Sequence, residues 1–341
     1  MKTTSAVRLA ARAPLAAALD SGGDSARHPD QLPGRLETDR ATRSMREPGR
    51  CPLCDTADAP IVWQEGDYRA RQCTCGVLYV DPRPGPADVD ATRDLHCDGS
   101  YRFGTPARFA FLRRFASHGR LLEVGFGRGH MLERACRAGF QVHGVEPNHA
   151  AVEAARARGF VVEHATIEAS ALPERAFDVV FNVDLLNHFP DPIAALDAMR
   201  RRLRPGGVLI LEVGVIGAVH PRWYRWWGTL YLPAHRNMFS EEAIHEVLRR
   251  AGLEPIAVQR FSLFGSLLLW RATRLLEGRG GGLRPQDASG LPALTKGIFA
   301  LGERLMNFTR YTLGRVLPKT TALGQLTIFI AARERGHAPA H

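Results

Sequence analysis

Three glycines at alternate positions mark a turn that could hold a nucleotide-like ligand. Gly125, Gly127 and Gly129 follow a short apolar run and precede a segment with helical spacing. Where a strand turns into a helix, free backbone N–H groups and absent side chains let a ligand approach closely. His130 stands where a dinucleotide site would have its third glycine. Glu146 ends the next apolar run, where a carboxylate can accept hydrogen bonds from both hydroxyls of a ribose, and this favours a ligand site over a turn that only packs.

Four of the six cysteines lie within 25 residues and form two closely spaced pairs: Cys51, Cys54, Cys73 and Cys75. Four thiolates can close a tetrahedral zinc site, and strand pairs joined by such turns form ribbons too small to fold without the metal. Closely spaced cysteine pairs in a chain without a clear export signal indicate metal binding in a reducing compartment, so we expect a cytoplasmic protein. The alternative is a metal-free module with reduced, buried thiols, since the second pair is one residue tighter than C-x-x-C.

Strand and helix patterns alternate around the glycine turn. Short buried strands that alternate with helices indicate a parallel, doubly wound sheet. The predicted strands are 61–63, 77–80, 121–124, 142–146, 160–162, 177–183, 208–213, 255–260 and 326–332. The predicted helices are 106–117, 130–138, 150–158, one that begins at Pro192 after an Asp191 cap and runs to 205–207, and one that begins after a Ser240 cap.

The order of these blocks is similar to that of the seven-stranded, Rossmann-like S-adenosylmethionine-dependent methyltransferases. None of the blocks is specific alone, but together they are; they are 123–129, 144–147, 165–168, 177–181, 187–192 and 203–207. The resemblance implies a mostly parallel seven-stranded α/β sheet. The cysteine segment, which ends in Cys75-Gly76 and then Pro82-Arg83-Pro84, resembles the zinc-ribbon-like heads that precede some of these domains.

The resemblance also implies a cofactor, S-adenosylmethionine, and the residues that would hold it. The glycines would lie against its methionine part with Glu123 supporting the loop, and Glu146 would hold the ribose. Thr166 and Ile167 would flank the adenine, and the segment from Asn182 to Asp184 would close over the methionine end. The full set is Glu123, Gly125, Gly127, Gly129, Glu146, Thr166, Ile167, Asn182 and Asp184.

Two histidines are candidates for acid–base work. Methyl transfer is an in-line displacement in which the enzyme mainly positions the acceptor, but an oxygen acceptor of high pKa also needs a general base. His188 lies just beyond a strand end, and His235 lies in the block 233–240, which resembles a block in relatives acting on sugars, lipids and natural products. Two alternatives stay open: His188 orders its own loop, and His235 is a cap or contacts an anionic substrate with Arg236.

The net charge of +10 is concentrated near the C-terminus, where residues 258–341 hold twelve Lys and Arg against four Asp and Glu. Such a bias suits an anionic or lipid-linked partner. The helix predicted over 291–316 fits either an anionic membrane surface or a place on the core with its basic face in water. An aromatic cluster could line an acceptor pocket, meet a membrane or pack in the core; it comprises Trp223, Tyr224, Trp226 and Trp227.

These patterns divide the chain into seven segments. They are a disordered basic arm (1–49), a zinc-ribbon-like module (50–86), a helical lead-in (87–119), the cofactor-binding core (120–262), a helical insertion or substrate cap (263–324), the final core strand (325–334) and a tail (335–341). No apolar run of about 18 residues is present, so we expect no transmembrane helix.

The sequence therefore predicts a methyltransferase that acts on a small molecule such as a sugar, a glycolipid or a natural-product intermediate, with oxygen as the expected acceptor atom. One alternative is a nucleic-acid methyltransferase, against which stands the absence of a compact basic run with stacking aromatics. Another alternative is a non-catalytic cofactor-binding scaffold, against which stand the intact glycine turn and Glu146.

Overall fold

A branched sheet organises the residues described by the computed structural model, which are 47–85, 98–216, 232–262, 301, 305, 308–317 and 326–336. Within these ranges the sheet has 11 strands. They are β1 (Ile61–Glu65), β2 (Tyr68–Gln72), β3 (Val77–Asp81), β4 (Gly119–Val124), β5 (Phe140–Glu146), β6 (Val161–His164), β7 (Phe177–Val183), β8 (Leu203–Val215), β9 (Asn237–Phe239), β10 (Leu253–Ser262) and β11 (Leu326–Glu334). The helices are α1 (Asp98–Leu112), α2 (His130–Arg137), α3 (His149–Ala157), α4 (Pro192–Arg202) and α5 (Glu241–Arg250).

Seven of these strands form the predicted α/β sheet, in the order β6-β5-β4-β7-β8-β11-β10. Strands β4 to β8 pair in parallel, whereas β11 is antiparallel to both of its neighbours. The mostly parallel, seven-stranded fold expected from the sequence is confirmed. Parallel strands of this kind place their carboxyl ends, and the loops that follow them, at one edge of the sheet.

Apolar residues alternate between the two faces of the sheet and bury both. Leu122 and Val180 belong to one core cluster, with residues of α4 and α5, while Leu121 and Val179 belong to another, with residues of α1 and α2. Because successive strand residues point to opposite faces, a strand buried on both sides reads as a continuous apolar run. Helices therefore cover both faces, as a doubly wound sheet requires.

Helix α4 begins as its sequence predicts but ends earlier. The Asp191 side chain accepts hydrogen bonds from the backbone N–H groups of Ile193 and Ala194, at 3.0 Å each, and Pro192 takes the first turn. The helix stops at Arg202, and β8 starts at Leu203 rather than at residue 208. Leu203 pairs with Phe177, so the segment 205–207, interpreted from the sequence as the helix end, is a bulge inside the strand.

The cysteine-bearing head, residues 47–85, continues into the same sheet. Strands β1, β2 and β3 form an antiparallel meander, of which β2 has no counterpart among the predicted strands. Strand β3 then pairs antiparallel with β9, and β9 pairs in parallel with the end of β8. Helix α1 also differs from its prediction, because it starts at Asp98 and ends at Leu112. The segment boundaries given above otherwise stay predictions.

Several sequence predictions fall outside the described residues. These are the arm before residue 47, the aromatic cluster at 223–227, most of the insertion after residue 262 and the last five residues. No helix in the described ranges is long and apolar enough to cross a membrane.

Candidate active site

A cleft of about 1150 Å³ opens at the carboxyl ends of β4, β5 and β7. Its size suits a cofactor together with a small substrate, since ligand pockets commonly measure about 300–1,000 Å³. Seven predicted site residues line it: Glu123, Gly125, Gly127, Glu146, Thr166, Ile167 and His188. Four others, Gly129, Asn182, Asp184 and His235, lie outside its lining.

The glycines of the turn share a backbone conformation but differ in what surrounds them. Gly125, Gly127 and Gly129 all have positive φ, at 68°, 50° and 72°, which side chains other than glycine rarely adopt. A Cβ on Gly125 would lie 1.9 Å from a Leu185 methyl carbon, so any side chain there would have to displace Leu185. A Cβ on Gly127 would have no atom within 4 Å, because this position faces open space. Gly127 therefore leaves room for a ligand to lie against the backbone.

Glu146 joins the glycine turn to the next helix. One carboxylate oxygen accepts the Gly127 N–H at 3.0 Å, and the other accepts the Asn148 N–H at 3.0 Å. The side chain is only 8% exposed, yet it lines the cleft. An ionised carboxylate has about four lone-pair sites, so hydrogen bonds from two ribose hydroxyls can be added to these two. The residues present thus fit the nucleoside part of S-adenosylmethionine.

Glu123 is a buried acid on the cleft wall. It is 6% exposed, and its Oε2 atom has no hydrogen-bond partner among the described residues. Burial raises the pKa of Glu123 well above its usual range, against the opposing effects of the Leu132 backbone and Arg108. Burial therefore favours the neutral form of this acid, which can donate a hydrogen bond as well as accept one.

The two adenine candidates are neighbours in the lining of the cleft. Ile167 is buried and Thr166 is exposed, and both line the cleft in the loop after β6. The Thr166 hydroxyl accepts the Ala169 N–H at 3.4 Å, which orders this loop. An apolar side chain beside a hydroxyl suits a flat, polar-edged ring.

The three cofactor candidates outside the lining shape the backbone around it. Buried Asn182 donates its side-chain N–H to the Val124 carbonyl at 3.3 Å and so ties β7 to β4. The Asp184 N–H donates to the Glu212 carbonyl at 2.8 Å. Gly129 caps α2. Direct contact of these three with a cofactor stays a prediction.

The two histidines lie against each other. The ring centroids of His188 and His235 are 4.9 Å apart, and the rings are tilted by 43°. His188 Nδ1 lies 2.8 Å from the Ala234 carbonyl oxygen, which can only accept, so Nδ1 carries the hydrogen. In the neutral ring Nε2 then keeps its lone pair. Because His188 lines the cleft and His235 does not, the geometry favours His188 as the base.

Sequence reasoning missed a buried polar cluster beside the cleft. Arg108 of α1 forms an ion pair with Glu212 of β8, and the Tyr311 hydroxyl donates to Glu212 at 2.6 Å. Burial alone would raise the pKa of Glu212, but the adjacent charge of Arg108 and these hydrogen bonds lower it below its usual range. Arg108 lines the cleft. The partners are more than ninety residues apart, so no local pattern could have indicated the cluster.

The four predicted metal-ligating cysteines do come together. Cys51 and Cys75 have their sulfurs 3.4 Å apart, Cys54 and Cys73 have theirs 3.2 Å apart, and all four sulfurs lie within 4.8 Å of one another. A tetrahedral zinc ion with bonds of about 2.3 Å holds its sulfurs about 3.8 Å apart. The donor set and the spacing therefore fit zinc.

Comparison with known proteins agrees with this geometry. Residues 100–258 match a family model described as a methyltransferase domain. A ubiquinone biosynthesis O-methyltransferase of Ruegeria pomeroyi is 30% identical over 186 residues, which cover 48% of this chain and 69% of that protein. The chain belongs to the class I S-adenosylmethionine-dependent methyltransferases.

Other members of this family match a shorter part. A ubiquinone biosynthesis O-methyltransferase of Cereibacter sphaeroides is 30% identical over 157 residues, 40% of this chain and 61% of that protein. The chain thus spans about three fifths of that relative's length. Among solved structures, phosphoethanolamine N-methyltransferase 2 of Haemonchus contortus shares 17% identity at a TM-score of 0.48, over 80% of this chain and 70% of that one.

Proposed function

We propose that this chain methylates an oxygen atom of a small-molecule acceptor, with S-adenosylmethionine as the methyl donor. The observation that carries the proposal is that Glu146 and His188 line the same cleft, with Glu146 accepting a hydrogen bond from the Gly127 N–H. The relatives named as ubiquinone biosynthesis O-methyltransferases support oxygen as the acceptor atom.

The cofactor would lie along the edge of the sheet. The backbone at Gly125 and Gly127 would receive its methionine part, Glu146 its ribose, and Thr166 and Ile167 its adenine. When bound, it supplies a methyl group on a positively charged sulfur, a leaving group that needs no further activation. The chain's own contribution is then to orient the acceptor and exclude water.

His188 would take the acceptor's proton. During methyl transfer to the acceptor oxygen, His188 Nε2 would accept the proton of the acceptor hydroxyl. The Ala234 carbonyl accepts from Nδ1 and stabilises the charged ring that results. The His235 ring, which contacts that of His188 at a tilt of 43°, would fix its orientation.

An acceptor with an anionic or lipid-linked part would suit the basic C-terminal quarter of the chain. Leu301, Leu305 and Phe308 have side chains that are 64%, 46% and 60% exposed. Apolar side chains near basic ones are typical of a peripheral contact with an anionic membrane. Co-sedimentation with vesicles of anionic and of neutral lipid would test this part of the proposal, since equal binding to both, or to neither, would contradict it.

The head would hold one structural zinc ion through Cys51, Cys54, Cys73 and Cys75. Both Cys51 and Cys73 are buried, and the four sulfurs are already gathered in the geometry described above. Free thiols kept for a metal suit a reducing compartment such as the cytoplasm.

The first experiment is a calorimetric titration of the purified protein with S-adenosylmethionine. We expect micromolar binding, and we expect Glu146→Ala to weaken it by about tenfold or more, because the lost carboxylate both accepts from the ribose and orders the loop. Glu153→Ala removes an exposed acid of α3 and serves as the control, with unchanged affinity. Absence of binding by the native protein would exclude the proposed function; binding without turnover on any acceptor would favour a scaffold.

A further inference from the structure

We infer that the cysteine-bearing head holds the acceptor side of the cleft in place, with Arg236 as the positioning residue between them. The inference rests on the zinc site and the His188 base proposed above. We call residues 233–239 the roof segment. It precedes α5 and contributes Ala234 and Arg236 to the cleft lining.

The head is joined to the roof segment by backbone and side-chain hydrogen bonds. Strand β3 pairs with β9 in the register Val77 to Phe239, and the Val80 N–H donates to the Arg236 carbonyl at 3.0 Å. The Arg236 guanidinium donates back to the Pro84 carbonyl at 2.8 Å. One residue of the cleft wall is therefore held by the head through both its backbone and its side chain.

The roof segment in turn fixes the loop that carries the proposed base. The Ala234 carbonyl lies 2.8 Å from His188 Nδ1, and the Asn237 side chain donates to the Phe189 carbonyl at 3.0 Å. The first of these contacts selects the His188 tautomer, and the second holds the backbone next to it. A shift of the roof segment would therefore release the hydrogen at Nδ1 from its acceptor.

The thiol cluster controls where β3 begins. Cys73 and Cys75 lie four and two residues before β3. The carbonyl of Gly76, which comes between them and the strand, accepts at 2.7 Å the N–H of Ser240, the residue that follows the roof segment. Cys51 and Cys73 are buried in the same apolar cluster as Phe239. A metal ion that joins the two cysteine pairs would fix both turns, and with them the register of β3 against β9.

The glycine turn is held by other contacts. The Gly125 N–H donates to the Val145 carbonyl at 2.8 Å, the Gly129 N–H donates to the Phe126 carbonyl at 2.8 Å, and Gly127 donates to Glu146. All of these lie within the segment 125–146. Loss of the metal should therefore loosen the acceptor side and leave the affinity for S-adenosylmethionine largely intact.

The test compares the full chain loaded with zinc, confirmed by elemental analysis, with the same protein after a chelator has removed the metal under reducing conditions. We expect amide hydrogen exchange over 233–239 to accelerate by about tenfold or more on metal loss. The ¹⁵N signals of the His188 ring should change from a single Nδ1–H tautomer to a mixture. Calorimetry should show that the dissociation constant for S-adenosylmethionine changes by less than about threefold.

Variants distinguish the effect of losing the metal from the effect of losing the hydrogen bonds that hold the roof segment. Cys54→Ser alters the exposed ligand and should reproduce the metal-free behaviour, whereas Cys136→Ser, at an exposed thiol outside the cluster, should not. Arg236→Met should keep its zinc and still lose the single His188 tautomer. Arg83→Met is the control for Arg236→Met, because Arg83 is exposed and is the neighbour of Pro84, whose carbonyl accepts from Arg236.

Three outcomes would overturn the inference. They are a chain that takes up no zinc, exchange over 233–239 that does not respond to metal removal, and a cofactor affinity that falls in parallel with the metal content. The last would mean that the head supports the whole fold. Failure of the zinc-loaded native protein to bind S-adenosylmethionine is a separate result, and it contradicts the proposed function instead.

Discussion

Glu123 and Glu212 are both buried, but their surroundings give them opposite protonation behaviour. Glu123 is 6% exposed and has an oxygen without a hydrogen-bond partner, so burial dominates and raises its pKa. Glu212 is 3% exposed but lies against Arg108 and Tyr311, whose charge and hydrogen bonds outweigh burial and lower its pKa. The type of residue decides that an acid is present; its neighbours decide whether it is charged.

The neutral state of Glu123 predicts a pH-dependent effect of Glu123→Gln. Because its pKa is raised in the folded state, the folded protein keeps a proton that the unfolded chain releases above about pH 4.5. The contribution of Glu123 to the free energy of unfolding is therefore fully present below that pH, and it is lost as the pH rises toward the pKa of Glu123 in the folded protein. Glu123→Gln removes this loss, so the stability of the variant relative to the native protein should increase as the pH rises above about 5, by at most about 1.4 kcal/mol per pH unit.

Urea denaturation at several pH values measures this difference. Glu153→Gln, at an exposed site on α3, is the control and should show a constant difference from the native protein. A difference for Glu123→Gln that stays constant or reverses with pH would show that Glu123 is ionised in the folded state.

At the scale of elements, the turn between β4 and α2 has one glycine that is closely packed and another that is open to the cleft. Gly125 is enclosed by Leu185, and Gly127 opens onto the cleft. Both have positive φ, so both resist substitution through backbone strain, but only Gly125 adds a steric overlap. One turn thus contains a position packed against Leu185 and a position open to the cleft.

Gly125→Ala and Gly127→Ala should therefore fail in different ways. Gly125→Ala should lower the free energy of unfolding by about 2 kcal/mol or more, because its Cβ must displace Leu185. Gly127→Ala should cost about 1 kcal/mol from strain alone, yet weaken S-adenosylmethionine binding by about tenfold or more, since its Cβ occupies ligand space. Thermal melts and calorimetry on both variants separate these effects; equal losses of stability would contradict the assignment.

At the scale of the whole molecule, a buried ion pair joins segments that are far apart in the chain. Arg108 of α1 meets Glu212 of β8, and Tyr311, which lies within the segment 263–324, bonds to both. The side chains of Arg108 and Glu212 are 4% and 3% exposed, so a charge that loses its partner is left in a buried position. Together with Tyr311, the pair links the lead-in helix, the central sheet and the insertion.

Arg108→Met should lower the free energy of unfolding by about 3–5 kcal/mol, because it removes the guanidinium that is ion-paired with the buried Glu212 carboxylate. The double variant Arg108→Met with Glu212→Gln should recover much of this loss. Arg137→Met breaks an exposed pair with Glu133 and should cost at most about 1 kcal/mol. Denaturant unfolding of the three variants checks this, and a loss from Arg108→Met no larger than the Arg137→Met loss would refute it.

The sequence by itself determined the local elements and the kind of chemistry. The run 177–183 is β7 as predicted, and Asp191 and Ser240 cap α4 and α5 as predicted, since periodicity and capping are local properties of the chain. The family, and the strand-then-turn setting of the glycines, were also readable from the order of the motifs.

Only the tertiary structure decided how distant segments meet. It brought His188 against Ala234 and His235, Arg108 against Glu212, and β3 against β9, because these contacts depend on three-dimensional packing and not on spacing along the chain. It also turned the segment 205–207 into a bulge, since Leu203 finds its partner in β7. A sequence records which groups are available; the packing of the sheet and its helices fixes which of them share a cleft.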